Sequence, residues 1–387
     1  MIRKIHTRSI LLSCAAIVAW VAPITADARD LLANFAYLGC NRVGYSAQTP
    51  SEPSTANVAQ MQQTFKDIAA LPVKPDYFFF AGDLVLGMSA DKGVTLSNEL
   101  TAWKALYDKS NFAASGIELL PLPGNHEADA SEEVSPGEYI EYPDADNLSV
   151  WVDWLKTNNF AKASNGPSGN KELQRDLLAE DNNQTQTYSF DDVKTGVHYV
   201  LLNTDSLSTV VNPLLPEKTV ASWAPLHWVE ADFKKASANP AIKRIVVLAH
   251  KPLVLSNPGP HDIVYNTAPY TLGDSLLELF GDTPKFSGYF AAHSHQWLYT
   301  DKIGPKQNVT QVLAGNGGSQ LNGGWDPKGG PYFGFTVVNI YDDNTVGVVS
   351  HARPAPTPYN TSAPQPAAKA MPEIFFPVVG QGNIKGK

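Results

Sequence analysis

The feature of this sequence that most constrains its fold is a repeated succession of an amphipathic helical segment and a short, wholly apolar run. In STANVAQMQQTFKDIAAL, with Ser54 as candidate N-cap, apolar residues recur at helical spacing, and the run YFFFAGD follows. The same succession recurs in ELTAWKALYDKSNF before GIELLPLPGNHE and in APLHWVEADFKKASA before IKRIVVLAHKPL. Helices that alternate with buried strands are typical of α/β proteins in which helices cover a sheet.

Additional strands are predicted at HYVLLNTD, FSGYFAAHSH and VTQVLAGNGG. The segment YFGFTVVNIYDDNTVGVVSHA alternates apolar and polar residues on both sides of an Asp-Asp-Asn turn, which predicts a hairpin. With 387 residues and 43% hydrophobic composition, the chain is long enough to bury a sizeable core.

The predicted organisation has three parts. Residues 1–28 form an export signal, 29–353 form the main domain, and 354–387 form a Pro-rich, irregular tail. Within the domain, residues from about 129 to 190 are rich in Asn, Asp, Ser and Gly and are interpreted as an insertion that carries substrate contacts.

The N-terminus has the three regions of a secretory signal. Arg3, Lys4 and Arg8 are basic, residues 10–21 are apolar, and Ala26 and Ala28 form an A-x-A pattern, which predicts cleavage after Ala28. The mature protein is therefore expected in the periplasm or outside the cell. Beyond the signal, the sequence contains no run approaching the roughly 18 uncharged apolar residues of a membrane span.

Charge and cysteine content narrow the chemistry further. A formal net charge of -9 argues against a nucleic-acid or membrane surface as partner. Cys40 is the one cysteine left after the predicted cleavage. An unpaired thiol in an exported protein calls for an explanation, either burial as a small apolar residue or a role in chemistry.

Metal-competent side chains follow the ends of five apolar strands: LGCNR, FAGDL, PGNHE, VLAHKP and AAHSHQ. In open α/β sheets this edge is where ligands bind. Imidazole, carboxylate and amide donors suit Zn, Mn or Fe, and two such ions roughly 3.5–4 Å apart can clamp the oxygens of a phosphoryl transfer. The side chains in question are Asp83, Asn125, His126, His250, His293 and His295.

Two details of spacing support this interpretation. A glycine precedes both Asp83 and Asn125, which lets the backbone turn sharply and approach an ion. His293 and His295 are two residues apart, so in an extended segment both point to the same side.

The ordered set GDL, GNHE, LAHKP and AHSH resembles the signature of calcineurin-like metallophosphoesterases, in the broad group that includes purple acid phosphatases. The motifs extend from residue 38 to residue 295. The resemblance implies an α/β fold, a four-layer α/β/β/α sandwich with two central mixed β-sheets. It also implies one or two divalent or trivalent transition metal ions and a small phosphoester substrate, a mono- or diester hydrolysed by metal-activated water.

Roles carry over motif by motif. The resemblance implies that Asp83 bridges both metal ions and that His295 belongs to the first site. The second site would be completed by Asn125, His250 and His293. His126 would protonate the leaving oxygen.

The first motif departs from the family. Where the family has a strand-end Asp-x-His, this chain has Cys40, Asn41 and Arg42. Three interpretations stay open: Cys40 ligates as a thiolate, Arg42 replaces the charge of the first metal by holding a phosphate oxygen, or catalysis has been lost. We favour one firmly bound metal with Arg42, and with it Asn41, facing the phosphate; a second metal held by Cys40 and His295 is the lesser alternative.

The altered motif also sustains a second function, a non-catalytic binding module for a phosphate ligand that keeps the fold and one metal. The presence of His126 favours the enzyme, because a pure binder gains little from a leaving-group acid. Asp205, at the end of HYVLLNTD, is interpreted as a turn cap rather than a metal ligand.

Overall fold

The computed structural model describes residues 29–44, 54–160, 162, 186–205, 224–255, 262–263, 272–322, 332–356, 359, 361 and 363–381. The predicted export signal, residues 1–28, lies outside the described residues. The first half contains β1 (Leu31–Leu38), α1 (Val58–Ala69), β2 (Tyr77–Ala81), β3 (Met88–Ser89), α2 (Val94–Asp108), β4 (Glu118–Leu122), α3 (Asn125–Ala128), β5 (Asp129–Ser135), β6 (Glu138–Pro143) and α4 (Ala145–Asn158). The second half contains β7 (Tyr188–Asp192), β8 (Val197–Leu202), α5 (Leu226–Ala238), β9 (Arg244–Ala249), α6 (Leu272–Asp282), β10 (Phe286–Ala291), β11 (Trp297–Ile303), β12 (Val309–Ala314), β13 (Tyr332–Tyr341), β14 (Thr345–Pro354), β15 (Lys369–Ala370) and β16 (Ile374–Pro377).

Two mixed sheets form the centre of the molecule. The first has seven strands in the order β15-β14-β13-β1-β2-β4, with β16 also paired to β14. The second has six strands in the order β11-β12-β10-β9-β8-β7. In the first sheet β1, β2 and β4 run parallel, and in the second β8, β9, β10 and β12 do so. Carboxyl ends of parallel strands therefore collect at one edge of each sheet.

Side-chain alternation along these strands places the sheets face to face and puts helices outside them. Phe35 and Phe79 of the first sheet pack in one cluster with Tyr199 of the second. The opposite face of the first sheet packs against α1, α2 and α4, and that of the second against α5 and α6. This is the four-layer α/β/β/α sandwich, so the predicted fold class is confirmed.

Hydrogen bonds tie the two sheets together through the central layer. The hydroxyl of Tyr37 on β1 donates to the carbonyl of Val312 on β12 at 3.0 Å. The indole of Trp297 on β11 donates to the hydroxyl of Thr336 on β13 at 2.9 Å. These bonds satisfy polar groups that would otherwise be costly in an apolar layer.

Two local expectations differ from the structure. Helix α1 is capped by Asn57, whose side chain accepts from Gln60, and not by Ser54. An amide side chain nearer the first helical turn outcompetes the serine for the free N–H groups. The stretch after residue 354 was expected to be irregular, but it supplies β15 and β16, which pair with β14.

The predicted insertion contributes to the core as well as to the surface. Its β5 and β6 join β3 in a small three-stranded sheet, and α4 packs Trp151 and Trp154 into the layer against α2. The domain boundaries themselves stay a prediction. Among the described residues, every helix is too short or too polar to cross a lipid bilayer.

Candidate metal centre

The predicted strand-end residues come together where the edges of the two sheets meet. The amide of Cys40, after β1, donates to the carbonyl of Gly82, after β2, at 2.9 Å. The amide of Ala292, after β10, donates to the carbonyl of His250, after β9, also at 2.9 Å. These backbone bonds join the loops of neighbouring strands within each sheet.

Close packing of two glycines lets the loops approach. A Cβ atom on Gly82 would collide with the ring of His250 and with the backbone of Gly124, and Gly82 has a φ of 81°, in the left-handed region. A Cβ atom on Gly124 would collide with the Asp83 carboxylate. The glycines before Asp83 and Asn125 therefore do what their positions predicted, because any larger residue would push the ligand-bearing loops apart.

Three potential ligand atoms converge on Nε2 of His250. The side-chain oxygen of Asn125 lies 3.1 Å from it, Oδ1 of Asp83 lies 3.2 Å from it, and Nδ1 of His293 lies 3.0 Å from it. The donor atoms of Asp83, His250 and His293 lie within 4.8 Å of one another, which is close enough for them to share one cation. Potential donor atoms from four side chains thus lie together in one small volume.

Hydrogen bonds to the backbone fix the histidine tautomers. Nδ1 of His250 lies 2.7 Å from the carbonyl of Ala81, and Nδ1 of His295 lies 2.9 Å from the carbonyl of Gln320. Because a carbonyl can only accept, each Nδ1 carries a proton, and Nε2 is the nitrogen that can bind a cation once it is deprotonated. This orientation by an outer carbonyl is the usual arrangement for metal-binding histidines.

A second group shares the same carboxylate. The donor atoms of Cys40, Asp83 and His295 also lie within 4.8 Å of one another. His293 and His295 do not lie in an extended strand as expected: β10 ends at Ala291, and His293 has a φ of 58°. The turn separates the two imidazoles, so that each belongs to a different group around Asp83.

The remaining residues of the first motif have different environments. Nε of Arg42 lies 3.6 Å from Oδ2 of Asp83, and the Arg42 side chain is 26% exposed. The amide nitrogen of Asn41 donates to the backbone carbonyls of Asn57 and Gly317, at 3.3 and 2.9 Å. Asn41 is buried, and both N–H groups of its side chain donate to these carbonyls. It therefore holds neighbouring backbone segments together instead of making the predicted contact with phosphate.

Glu127, the last residue of GNHE, was not assigned a role from sequence. One of its carboxylate oxygens accepts from the amides of Leu84 and Val85, and the other from the amides of Asp83 and Gly124. The four bonds are 2.7–3.3 Å long. Glu127 thereby holds the loop of Asp83 against the loop of Asn125. The position of Glu127 within GNHE suggests that it matters, but the backbone amides that it binds can be identified only from the structure.

The electrostatics of the centre depend on Asp83. Burial alone would raise the pKa of this carboxyl, but the charges of His250, His126 and Arg42 outweigh burial and hold the pKa well below its usual range. Burial alone would lower the pKa of His250, but the adjacent Asp83 carboxylate raises it to about 8. For Glu127, burial and the charge of Asp83 raise the pKa to about 7.

His126 lies next to the ligands in the buried centre. Its Nδ1 is hydrogen-bonded to the carbonyl of Leu86, which again leaves Nε2 with a lone pair. Burial, together with the charge of Arg42, lowers the pKa of His126 to about 3, although the Asp83 carboxylate opposes both. In this state the ring is neutral at neutral pH, so an acid role requires added negative charge, such as that of a bound phosphate, to stabilise the protonated ring.

Sequence reasoning also missed a buried charge cluster beside the centre. Asp205 is not a turn cap: it is fully buried, and its carboxylate lies 2.5 Å from Nζ of Lys251, the residue after His250. Asp129 is also fully buried, and neither of its carboxylate oxygens has a hydrogen-bond partner in the part of the chain that the structure describes. Burial and the charge of Asp205 raise the pKa of Asp129 well above its usual value.

The donor set fits a transition metal. It combines imidazole nitrogens, a shared carboxylate and an amide oxygen, which are ligands that Zn, Mn and Fe accept. Within the described residues, Oδ1 of Asp83 is buried and receives no well-directed hydrogen bond, which is costly for a carboxylate unless a protonated imidazole or a metal cation satisfies it. Asp83, Asn125, His250 and His293 would hold one ion.

A comparison with protein-family models matches residues 55–297 to the calcineurin-like phosphoesterase family. The matched segment begins after the altered first motif and includes the other four. A comparison with curated protein sequences finds no significant match.

Comparison with solved structures finds similar folds at low sequence identity. A purple acid phosphatase from yellow lupin (Lupinus luteus) is 15% identical with a TM-score of 0.52, over 89% of this chain and 53% of that one. A dimetal phosphatase from Danio rerio is 12% identical with a TM-score of 0.50, over 90% and 100% of the two chains. PhoD is 10% identical with a TM-score of 0.55, over 92% and 72%. The alignment thus spans about half the length of the lupin enzyme, and likenesses this distant establish the fold.

Proposed function

The chain belongs to the calcineurin-like phosphoesterase family, and on this premise we propose that it is a metal-dependent hydrolase of phosphate mono- or diesters. The observation that supports the proposal most directly is the meeting of Asp83, Asn125 and His293 around Nε2 of His250. Such a set of lone pairs is unfavourable without a proton or a cation between them.

A metal bound there would supply the positive charge that activates a water molecule and polarises the phosphoester. Arg42 contributes a guanidinium at the edge of the centre. Its side chain is 26% exposed, so the guanidinium can present N–H donors to a phosphate oxygen. Arg42 therefore binds and orients the substrate.

His126 is placed to move the proton. The carbonyl of Leu86 holds its Nδ1, so any proton that it delivers to the leaving oxygen must travel through Nε2. The negative charge of a bound phosphate raises the tendency of that nitrogen to be protonated, as the neighbouring Asp83 already does.

The test is hydrolysis of an aryl phosphate monoester and a bis-aryl diester by the full chain loaded separately with Zn²⁺, Mn²⁺ or Fe²⁺. We expect metal-stimulated turnover, and a His126→Gln variant that loses roughly 10²–10⁴ in rate while it retains its metal. His227→Gln, on the surface of α5, is the matched control. Phosphate binding without turnover under all three metals would instead indicate a binding module.

Export is part of the same proposal. The basic, apolar and A-x-A regions of residues 1–28 support delivery to the periplasm or the exterior. Expression of the full chain with its signal should yield a mature protein whose mass corresponds to Arg29 as first residue. Retention of the uncleaved chain inside the cell would contradict this part of the proposal.

A further inference from the structure

We propose that Cys40 is a metal ligand and that it forms, with Asp83 and His295, a second cation site that prefers thiophilic ions such as Zn²⁺. This inference rests on the metal dependence proposed above. It reverses the preference drawn from the sequence, in which Arg42 replaced the first metal.

The geometry supports a site rather than a lone cysteine. Sγ of Cys40 lies with an Asp83 oxygen and a His295 nitrogen inside a 4.8 Å limit, and the three residues come from loops of both sheets. The carbonyl of Gln320 fixes the His295 tautomer so that Nε2 is free to bind. A sulfur, an oxygen and a nitrogen thus surround one point that shares its carboxylate with the His250 group.

Backbone conformation argues against Cys40 as a mere core filler. Cys40 has a φ of 58°, in the left-handed region that a residue with a Cβ atom seldom adopts. Asp83 and His293, which belong to the ligand groups, have φ values of 59° and 58°. Strained conformations that cluster in this way are typical of functional sites, whereas an inert apolar contact is available to a cysteine on relaxed backbone.

The backbone around Cys40 is held from two directions. Its amide donates to Gly82 at 2.9 Å, and its carbonyl accepts from the amide of Ser319 at 2.8 Å. The first bond leads to the Asp83 loop and the second to the loop that contains Gln320. The strain is therefore imposed by the same segments that position the other two ligands.

Arg42 approaches the shared carboxylate but does not exclude an ion. The 3.6 Å between its Nε and Oδ2 of Asp83 exceeds hydrogen-bond length. Its side chain is partly exposed, so the guanidinium has room to turn toward a phosphate. Arg42 and a metal at Cys40 then act on the substrate together instead of replacing each other.

The donor chemistry separates the two sites. The His250 group offers only nitrogen and oxygen, whereas the Cys40 group offers a thiolate, which Zn²⁺ binds well and Mg²⁺ and Mn²⁺ bind poorly. Metals of different softness should therefore distribute unequally between the sites. A protein loaded with Mn²⁺ alone would fill the His250 group preferentially.

The test is titration of the metal-free full chain with Co²⁺, followed by absorption. We expect two equivalents to bind and a sulfur-to-cobalt charge-transfer band to appear in the near ultraviolet, which Zn²⁺ abolishes by displacement and Mg²⁺ does not. Cys40→Ser should remove the band. Cys40→Asp, which restores an oxygen ligand, should keep two equivalents without the band.

Matched histidine variants locate the band. His295→Gln should abolish it, while His293→Gln, on the other group, should leave it in place. A single equivalent, or two equivalents without a sulfur band in the wild type, would overturn the inference. If the wild-type protein hydrolyses phosphoesters but shows no sulfur-to-cobalt band, only the role of Cys40 is overturned. If it shows the band but does not hydrolyse phosphoesters, only the proposed function is overturned.

Discussion

At the scale of single residues, Glu127 explains how the centre is held in place without itself binding the cation. Its two oxygens accept four backbone N–H groups from the Asp83 and Gly124 loops. A carboxylate has the lone pairs for four such bonds, which a glutamine lacks. The spacing of the two loops, and with it the geometry around His250, depends on this one side chain.

We expect Glu127→Gln to lower metal affinity by roughly 10–100-fold. The NH₂ group of the glutamine cannot accept hydrogen bonds, so two backbone N–H groups lose their acceptor. We expect the two loops to move apart as a result. The measurement is Zn²⁺ or Co²⁺ titration by calorimetry. Glu99→Gln is the control: Glu99 is also buried and accepts from the amide of Gly87 at 2.8 Å, but it lies on α2. Equal losses in both variants would contradict a specific role for Glu127.

The buried pair of Lys251 and Asp205 gives a second prediction at this scale. Lys251→Met leaves Asp205 and Asp129 buried without a counter-charge, which should cost about 3–5 kcal/mol in unfolding free energy. The double variant Lys251→Met/Asp205→Asn should recover part of that loss. Urea unfolding measures both, and a single variant as stable as the wild type would show that the pair is not energetically coupled to its surroundings.

At the scale of elements, the strands and helices were predictable where one face is apolar over several residues. Strands β2, β4, β8, β9, β10 and β12 lie where apolar runs placed them, because burial on both faces leaves a continuous hydrophobic signal. Strands β15 and β16 are two and four residues long, and their pairing with β14 is not encoded in local composition. The cap at Asn57 and the turn between His293 and His295 likewise depend on contacts distant in sequence.

His198 links β8 to its neighbours and predicts a dependence of stability on pH. Its Nδ1 lies 2.6 Å from Asp191 on β7 and its Nε2 lies 2.8 Å from Asp232 on α5. Burial on its own would lower the pKa of His198, but the hydrogen bonds and charges of Asp232 and Asp191 outweigh it and raise the pKa. A raised pKa stabilises the fold fully below the unfolded value of about 6.5. The contribution is lost as pH rises through the folded value.

The check is a double-mutant cycle of His198→Gln and Asp232→Asn by urea unfolding between pH 6 and pH 9. We expect the coupling free energy to be largest at pH 6 and to decline toward pH 9. A coupling that is constant or grows with pH would contradict the assignment of charge to the imidazole.

The C-terminal strand β16 should be energetically part of the sandwich. Phe376 is 3% exposed and packs in the central cluster, whereas its neighbour Phe375 is 37% exposed. We expect Phe376→Ala to lower the unfolding free energy by about 3–5 kcal/mol. Phe375→Ala, the matched control, should cost about 1 kcal/mol or less, because this ring is exposed and contacts mainly the Arg29 guanidinium and the Tyr341 ring. Comparable losses would mean that β16 does not pack as described.

At the scale of the whole molecule, the candidate ligands come from both sheets. Cys40, Asp83 and Asn125 follow strands of the first sheet, and His250, His293 and His295 follow strands of the second. The sequence revealed these residues because each follows an apolar run. It did not reveal which histidine faces which neighbour, because that depends on how the sheets pack and on Glu127, whose four partners are backbone amides.

A cation shared between the sheets should stabilise the fold as a whole. An ion that binds only the native state adds about 2.7 kcal/mol at a free concentration of 100 times Kd. We therefore expect the melting temperature to rise with Zn²⁺ concentration and to fall after chelation. The variant His250→Ala/His293→Ala should lose most of this shift, and a wild-type melting temperature indifferent to metal would contradict a site between the sheets.

Because each sheet brings only half of the donors, the proposed metal centre would be complete only after the two sheets have packed together. An incomplete or unfolded polypeptide would not offer a full coordination sphere, so we expect it to leave the ribosome without a bound metal ion. The identity of a bound ion would then depend on which metals, thiophilic ones included, are available in the compartment where the protein folds.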